Sequence, residues 1–568
     1  MKFHAQRIHM FVFGLALLLT LLPSLGVAAT VRNPICTVED AFYSPGNGED
    51  IIVPPGFKVS VFAKDLNFPV GIAFTGNDRK FNAYVLESGH GLPSICNDET
   101  SAVVGGTFSA TNPFTPDILV FDQDGKKIAG PLAKPTPSGG GLLPHGPAIG
   151  IAFEKGFGGG RLFVTDSNQA IRSAVPGVQN NSSRIVLVDP KKGDVTPFIT
   201  GLPTGDHPAE QMAFKDGWIY WSQGSTTNSG VVGRDNGGGA NQPDIPCQDI
   251  VLSVNVFDSG GGVKTSGYSP FGTQRPGTLV PAFNGRTDFK ACDGAILRAQ
   301  VGANDPASTM EPFSWGYRNP YGIRFAPKDH ALQGGLFVTE NGEDERGARP
   351  VNFSPDRLVL AQQNPDGSPD YHGWPDRFGF LDSTQAVFNP VGGPGDDNPA
   401  AAVGKPVLPV LAFPPQQITA PVALEPADVA AVGLDFVPDS FVRGVVQTGA
   451  ALISREGDFG FSAGNGDPEA GHDIELVNFS APGTPLQVKQ QRFAFNNTGD
   501  QAFTDPGVAG INRPTDLKFG PDGCAYLVDY GAVRDFGQSD PATKFKAAAD
   551  APLVQIPGTG VIWKICPR

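Results

Sequence analysis

The sequence is poor in charge, in cysteine and in long apolar runs. Charged residues make up 17% of the 568 residues, against a usual share of about a quarter. With 73 Gly and 53 Pro in addition, this composition excludes a coiled coil or a helical array. Basic residues are not in excess, because 42 Lys and Arg stand against 57 Asp and Glu, and the net charge of −15 disfavours nucleic acid as a partner. Hydrophobic residues at 40%, including 40 Phe, still provide enough apolar surface for a sizeable core, which excludes wholesale disorder.

Residues 1–29 have the pattern of a secretory signal peptide. A basic start is followed by an apolar run over residues 10–22, and the small residues Val27, Ala28 and Ala29 precede the expected cut. This run is much shorter than the roughly 20 residues that a membrane-spanning helix needs, and no later run approaches that length. We therefore expect a secreted or periplasmic protein with no membrane span in the mature chain, and a short N-terminal extension over residues 30–53.

The six cysteines include no CxxC pair, which disfavours structural zinc and c-type haem. An exported chain favours disulfides, although six thiols allow many pairings. Their spacing groups them into neighbours and favours the pairs Cys36–Cys96, Cys247–Cys292 and Cys524–Cys566.

One sequence unit recurs six times along the chain. Each copy has a Pro or small residue, a short apolar strand, a turn, a second apolar strand and then a polar residue with Gly. The copies are FPVGIAFTGNDRKFNAYVLESG from Phe68, GPAIGIAFEKGFGGGRLFVTDS from Gly146, HPAEQMAFKDGWIYWSQGS from His207, NPYGIRFAPKDHALQGGLFVTENG from Asn319, DVAAVGLDFVPDSFVRGVVQTG from Asp428 and RPTDLKFGPDGCAYLVDYG from Arg513. Further strand-like stretches, such as residues 184–189, would complete a four-stranded blade after each copy.

Six such units predict an all-β, six-bladed β-propeller with long inserted loops over residues 54–568. Residues 57–63 and 560–565 are predicted to share one blade, which would hide the edges at both ends of the chain. The Gly-, Pro- or Asn-rich segments 230–300, 382–425 and 458–505 are predicted to be the insertions. A tandem of β-sandwiches is the alternative that the same alternation allows.

Polar residues at the start of each repeat can converge on one mouth of a propeller. His145, His207, the pair Arg318 and Asn319, and Arg513 stand at such starts, where Pro or Gly is the commoner choice. Each of them could instead bond only to a neighbouring loop.

The segments GDHPAEQMAFKDGWIYWSQGS, GYRNPYGIRFAP, FVTENGEDERG, YHGWP and RPTDLKFGPDG resemble successive blade motifs of the glucose/sorbosone dehydrogenase family. Members of that family are six-bladed propellers that use pyrroloquinoline quinone with Ca²⁺ to oxidise aldoses or similar sugars and pass the electrons to an external acceptor. The similarity runs from about Pro54 to the C-terminus.

The resemblance implies a role for each matching residue. His207 matches the general base, and a neutral imidazole suits that task near neutral pH. Arg318, Asn319 and Arg513 match cofactor-binding residues, and such donors suit a tricarboxylate quinone. His145 falls where many members have Gln against the cofactor.

The remaining carried-over positions concern a lysine and the metal. Arg455 is the cation nearest to the place where the family has Lys in the fifth blade. The carbonyls of Gly342 and Glu343 fall where the family offers backbone oxygens to calcium, a hard ion that prefers oxygen ligands. An exposed acidic turn is the alternative reading of Glu343 and the two acidic residues after it.

The sequence departs from the family beside the predicted base. Gln223-Gly224-Ser225 replaces a motif that holds the histidine with an Asp, and Asp206 is a candidate substitute. Gln211 stands where many members have Arg.

Two other functions remain open on this reading. A calcium-dependent lactonase would need converging ligands, which Glu87, Glu340 and Asp529 could supply from equivalent strand ends. Pairing of these three acids with loop amides is the alternative. A catalytically silent extracellular propeller would bind carbohydrate or protein without any cofactor.

Overall fold

The computed structural model describes residues 30–31, 41–89, 115–136, 139–144, 146–168, 182–233, 242–260, 262–285, 291–344, 347–351, 354–379, 381–382, 407–417, 419–458, 470–504, 507–535 and 553–568. These residues are 45% strand and 4% helix and form an all-β, six-bladed propeller, as the repeat predicts. The predicted signal peptide, His145 and the predicted Cys36–Cys96 pair lie outside the described residues.

Each blade is an antiparallel sheet whose first strand, the inner strand, lies nearest the axis. Blade 1 comprises Pro69–Asn77, Lys80–Glu87, Asp117–Asp122 and Lys127–Leu132. Blade 2 comprises Ala148–Phe153, Leu162–Asn168, Ser182–Val188 and Val195–Leu202. Blade 3 comprises Ala209–Lys215, Trp218–Gln223, Ala295–Gln300 and Glu311–Trp315, with Asp370–Tyr371 added in parallel.

The other three blades follow the same order. Blade 4 comprises Asn319–Phe325, Leu336–Asn341, Pro355–Ala361 and Ala423–Ala427. Blade 5 comprises Ala431–Phe436, Ala451–Arg455, Asp473–Phe479 and Val488–Asn496, with Ile51–Ile52 at its edge. Blade 6 comprises Pro514–Phe519, Ala525–Asp529, Gly560–Pro567 and the N-terminal strand Phe57–Leu66.

Smaller elements lie in the connections. Two-stranded ribbons pair Thr30–Val31 with Ala41–Phe42, Ile250–Val251 with Leu279–Val280, Phe257–Asp258 with Lys264–Thr265, Arg377–Phe378 with Leu381–Asp382, and Val533–Asp535 with Leu553–Gln555. Single 3₁₀ turns are formed by Gly156–Gly158, Phe283–Gly285, Pro306–Thr309, Asp439–Phe441 and Ala502–Thr504.

Blade 6 closes the ring with strands from both ends of the chain. Strand Gly560–Pro567 pairs antiparallel with Phe57–Leu66, so the predicted sharing of one blade is confirmed. Gly560–Pro567 is thereby covered on both sides, whereas Phe57–Leu66 forms the outer edge of the blade, so only one of the two predicted edges is hidden. Strand Ile51–Ile52, which precedes this closing pair, joins the edge of blade 5 instead.

The core lies between the faces of adjacent blades, where the repeated apolar strands bury large aromatic side chains. Trp221, Trp315, Trp563 and Phe163 are each at most 1% exposed. Burying a side chain of this kind contributes about 1.5–3 kcal/mol, so the regular apolar strands are what hold neighbouring blades together.

One predicted insertion is wrong. Residues 458–505 contain the third and fourth strands of blade 5, Asp473–Phe479 and Val488–Asn496. The segments around these strands are rich in Gly and Asp, so the composition of the whole segment is typical of a loop. A buried strand needs only a few alternating apolar residues, and a pattern this short was not recognised. By contrast, the described residues between the second and third strands of blade 3 lie outside the blade sheet as expected, and they carry two short ribbons and the disulfide Cys247–Cys292. The predicted segment 230–300 ends within the third strand of this blade, Ala295–Gln300. Cys524–Cys566 is also formed, so two of the predicted pairs are confirmed.

Candidate functional site

His207 lies in the loop that leads into the inner strand of blade 3. Its backbone N–H donates to the carbonyl of Ser225 at 3.0 Å, and its side chain is 13% exposed. Its Nδ1 lies 3.9 Å from Asp206 Oδ2, which is a charge contact and too long for a hydrogen bond. Gly224 lies directly behind it, because a Cβ at Gly224 would come within 2.2 Å of His207 Cβ. The segment Gln223-Gly224-Ser225, where the sequence departs from the family motif, is therefore the turn that positions the imidazole.

Arg318 lies next to His207 across the boundary between blades 3 and 4. Ser225 N–H donates to the carbonyl of Arg318 at 2.8 Å, and Asp206 Oδ2 lies 3.9 Å from Arg318 Nη2 as well as from His207. The Arg318 guanidinium also donates to the carbonyl of Gly342 at 2.7 Å and forms an ion pair with Asp344. Its side chain is 5% exposed, and its Nε has no hydrogen-bond partner among the described residues.

Asp344, the acceptor of Arg318, is held by the loop that follows the second strand of blade 3. Asn228 accepts from Asp344 N–H and donates to its carbonyl, both at 2.9 Å. A loop of blade 3 thus fixes the carboxylate that orients the arginine of blade 4.

A carboxyl group that the sequence analysis did not single out lies beside Asn319. Glu210, on the inner strand of blade 3, is 1% exposed and lies within hydrogen-bond distance of the Asn319 side chain. Burial raises the pKa of Glu210 well above its ordinary value, Arg318 opposes that rise, and Glu456 adds to it. The repeat contains a signal that could have identified Glu210. The equivalent residues of the other inner strands are Val70, Ile149, Tyr321, Val432 and Thr515, so an acid is out of place in this row.

Arg513 joins the same group from blade 6. It donates to the carbonyls of Gly457 at 3.1 Å and Asp458 at 2.9 Å, and its side chain is buried. Burial raises the pKa of the neighbouring Glu456 carboxyl to about 7, and Arg513 opposes that rise. Because Glu456 also acts on Glu210, the two arginines and the two acids form one electrostatic group at the end of the propeller where the inner strands begin. We call this end the mouth.

Arg455 does not reach the mouth group. Its guanidinium makes two bonds of 2.7 Å to Asp473 and lies 3.2 Å from Glu425 and 3.4 Å from Glu475. These carboxylates lie on the fourth strand of blade 4 and the third strand of blade 5 and engage every nitrogen of the side chain. The predicted cofactor role of Arg455 has no support from this position.

The predicted calcium position already has a cation beside it, the Arg318 guanidinium. The carbonyl of Gly342 accepts from Arg318, and a calcium ion there would face a guanidinium. The Glu343 side chain is 4% exposed and accepts from Ser354 at 2.5 Å, and burial raises its pKa to about 7. Within the described residues, no group of three or more His, Cys, Asp and Glu side chains is arranged to hold a metal. The residues present therefore do not fit calcium at Gly342 and Glu343.

The acids considered for a lactonase are engaged by backbone amides. Glu87 accepts from Asn67 N–H at 2.6 Å, and Glu340 accepts from Arg318 N–H at 2.9 Å. Asp529 accepts from the N–H groups of Asn512 and Arg513, both at 2.8 Å. These carboxylates fix the loops that lead into the inner strands, which gives them a structural role in the repeat.

Gln211 crosses the axis of the propeller. Its Nε2 donates to Asp516 Oδ1 at 2.8 Å, and its Oε1 accepts from Lys518 at 3.0 Å. Blades 3 and 6 lie opposite each other in the ring, so these three buried side chains bridge the axis below the mouth. Lys518 thus places a positive charge beside the Gln211 amide.

No protein-family model matches the chain, and no curated protein matches it in sequence. Solved structures are similar at low identity. A Trichoderma reesei structure of carbohydrate-active enzyme family AA12 is 13% identical, with a TM-score of 0.49 over 93% of this chain and 100% of that chain. The apo form of the soluble aldose sugar dehydrogenase of Escherichia coli is 12% identical, with a TM-score of 0.47 over 90% of this chain and 100% of that chain. A gluconolactonase of Xanthomonas campestris is 10% identical, with a TM-score of 0.36 over 95% of this chain and 99% of that chain.

The strand order of the chain itself shows the six-bladed architecture, and similarities of this size do not identify a function. Among the helices of the described residues, none has the length and apolarity to cross a membrane.

Proposed function

We propose that this protein is an exported oxidoreductase that oxidises an aldose or a related sugar, with pyrroloquinoline quinone as its cofactor and an external electron acceptor. The proposal is supported by one observation above all. His207, which can accept a proton, lies at the mouth beside Arg318, with Asp206 Oδ2 at 3.9 Å from both side chains. The signal-peptide pattern and the two disulfides support export, since disulfides are typical of oxidising compartments.

The buried donors at the mouth fit an anionic cofactor. Arg318 has a buried Nε without a hydrogen-bond partner among the described residues, and leaving such a donor unpaired costs free energy that an anionic oxygen would relieve. Arg318 and Arg513 would hold carboxylate groups of the cofactor. When bound, pyrroloquinoline quinone supplies a quinone that takes up the hydride from the sugar carbon. Calcium is left out of this proposal at Gly342 and Glu343, because Arg318 already serves that carbonyl.

His207 would remove the proton from the sugar hydroxyl as the C–H bond at the same carbon loses hydride. A neutral imidazole is suited to accept this proton, and the adjacent Asp206 carboxylate stabilises the imidazolium that forms. Two electrons and one proton leave with the hydride and a second proton resides on His207, so an aldose becomes a lactone. The electrons then pass to the external acceptor.

The test is a titration of the purified mature protein with pyrroloquinoline quinone, with and without Ca²⁺, followed by absorbance and calorimetry. We expect saturable binding that Arg513→Ala weakens by about tenfold or more, because a charge-assisted bond is lost. With cofactor bound, dye-linked oxidation of sugars should fall by about 10²–10⁴-fold in His207→Ala, the range for loss of a general base.

Arg161→Ala is the matched control, because Arg161 pairs with Glu154 in the turn between the first two strands of blade 2, at the end opposite the mouth, and has a side chain that is 41% exposed. It should bind and react like the wild type. Absence of both cofactor binding and sugar oxidation across a broad panel would contradict the proposal.

A further inference from the structure

The orientation of two amides at the mouth is determined by a backbone carbonyl. Asn341 Nδ2 lies 2.8 Å from the carbonyl oxygen of Ala431, which can only accept a hydrogen bond. Asn341 Oδ1 must therefore point the other way, toward Asn319. Asn319 Nδ2 donates to it at 2.8 Å. The direction of donation thus runs from blade 4 to blade 5.

This order leaves the amide oxygen of Asn319 facing Glu210. It lies 2.7 Å from Glu210 Oε1 and 3.1 Å from Oε2. Two oxygens at 2.7 Å need a proton between them, and an amide oxygen has none to give. Rotating the Asn319 amide would place its oxygen against Asn341 Oδ1, and rotating Asn341 as well would place an oxygen against the Ala431 carbonyl. Each rotation therefore leaves two acceptor oxygens facing each other at another pair of groups.

We propose that Glu210 is a protonated carboxylic acid whose O–H donates to Asn319 and thereby positions this amide at the mouth. One proton completes an unbroken line of hydrogen bonds from Glu210 of blade 3, through Asn319 and Asn341 of blade 4, to Ala431 of blade 5. Glu210 acts through Asn319 and is a positioning residue. The inference goes beyond the proposed function and does not depend on which reaction the mouth performs.

The charged groups around Glu210 are consistent with a neutral acid. Arg318, from the loop that leads into blade 4, favours the carboxylate, whereas Glu456, at the end of the second strand of blade 5, opposes it. Tyr321, from the inner strand of blade 4, is a buried phenol whose own pKa is raised by burial first and by Glu210 next. Burial has the largest effect on the pKa of Glu210, because the side chain is 1% exposed in a row of mostly apolar residues.

The stability of the protein should depend on pH through Glu210. An acid whose pKa is raised on folding stabilises the fold fully below its unfolded pKa, near 4.5, and loses that contribution as the pH rises toward its folded pKa. The wild-type ratio of folded to unfolded protein should therefore fall by about tenfold per pH unit relative to Glu210→Gln above pH 4.5. Gln is the matched neutral variant, because its Nε2 can donate to the Asn319 oxygen at every pH.

The direct test is infrared difference spectroscopy of the protein labelled with carbon-13 glutamate, at about pH 8, where an ordinary glutamate is ionised. We expect the carbonyl stretch of a protonated carboxyl group in the wild type that Glu210→Gln lacks and Glu456→Gln retains. Glu210→Val is a second variant, because Val occupies the equivalent position in blades 1 and 5. It should also lack the band.

Two outcomes would overturn the inference. One is a difference spectrum between wild type and Glu210→Gln that shows only a lost carboxylate band. The other is a wild-type stability that keeps a constant offset from Glu210→Gln between about pH 5 and 8, because an ionised Glu210 would bind no extra proton on folding.

Discussion

At the scale of the residue, the position of the His207 side chain depends on a single glycine, Gly224. A Cβ at Gly224 would come within 2.2 Å of His207 Cβ and 3.2 Å of its backbone, so no larger residue fits without moving the histidine. The turn also connects the two neighbours of the imidazole, because Ser225 bonds to the backbones of both His207 and Arg318. The position of the imidazole thus depends on a residue that carries no chemistry itself.

We predict that Gly224→Ala displaces His207 and lowers the proposed sugar oxidation by at least about tenfold, since a misplaced base loses its geometry with the substrate. The cost in the free energy of unfolding should be about 1–3 kcal/mol, as for overpacking elsewhere. Rates and urea unfolding curves measured on the same preparation separate the two effects. Gly158→Ala is the control, because a Cβ there makes only an ordinary contact of 3.6 Å. An unchanged rate in Gly224→Ala would disprove this seating role.

At the scale of the element, the inner strands approach each other through glycine. A Cβ at Gly150 would lie 2.3 Å from the Glu210 carbonyl, and one at Gly322 would lie 2.2 Å from the Val432 carbonyl. The equivalent residues of blades 3 and 6 are Gln211 and Asp516, which bond to each other across the axis at 2.8 Å. Small residues therefore set the distance between inner strands, and the two polar exceptions bridge the space that remains.

Gly322→Ala is expected to push blades 4 and 5 apart, because its new methyl group would meet a backbone oxygen that cannot rotate away. The free energy of unfolding should fall by about 1–3 kcal/mol or more. Gly302→Ala, where a Cβ meets nothing within 4 Å, should leave stability nearly unchanged or slightly higher. Denaturant unfolding of both variants checks this, and equal stabilities would argue against close strand approach at Gly322.

At the scale of the whole molecule, the ring is closed by strands from the two ends of the chain. Gly560–Pro567 lies between Ala525–Asp529 and the N-terminal strand Phe57–Leu66. The disulfide Cys524–Cys566 joins two adjacent strands of this blade over a separation of 42 residues. It therefore ties the C-terminal strand into the blade that completes the propeller.

Removal of this disulfide in the double variant Cys524→Ala, Cys566→Ala should lower the free energy of unfolding by about 4 kcal/mol, from the closure entropy of a loop of this length. Local opening should begin in blade 6, because its last strand then depends on strand pairing alone. Native-state hydrogen exchange resolved by blade measures this. Uniform loss of protection across all six blades would contradict the prediction of local opening.

The sequence by itself determined the repeat, and with it the six blades, the closing strand pair, two disulfides, and the position of His207, Arg318 and Asn319 at equivalent strand starts. These are consequences of local pattern, since alternation of apolar residues fixes which face of a strand is buried. The two blade-5 strands within residues 458–505 were not predicted, because the composition of this segment as a whole is typical of a loop.

Only the tertiary structure decided which partners each charged side chain meets. Carboxylates from two blades surround Arg455, and the Gly342 carbonyl accepts a hydrogen bond from Arg318. Glu210 lies in an inner strand like five uncharged counterparts, and its surroundings come from residues more than 100 positions away. Burial and long-range pairing set the charge of an ionisable group, and neither is encoded in the local spacing of residues.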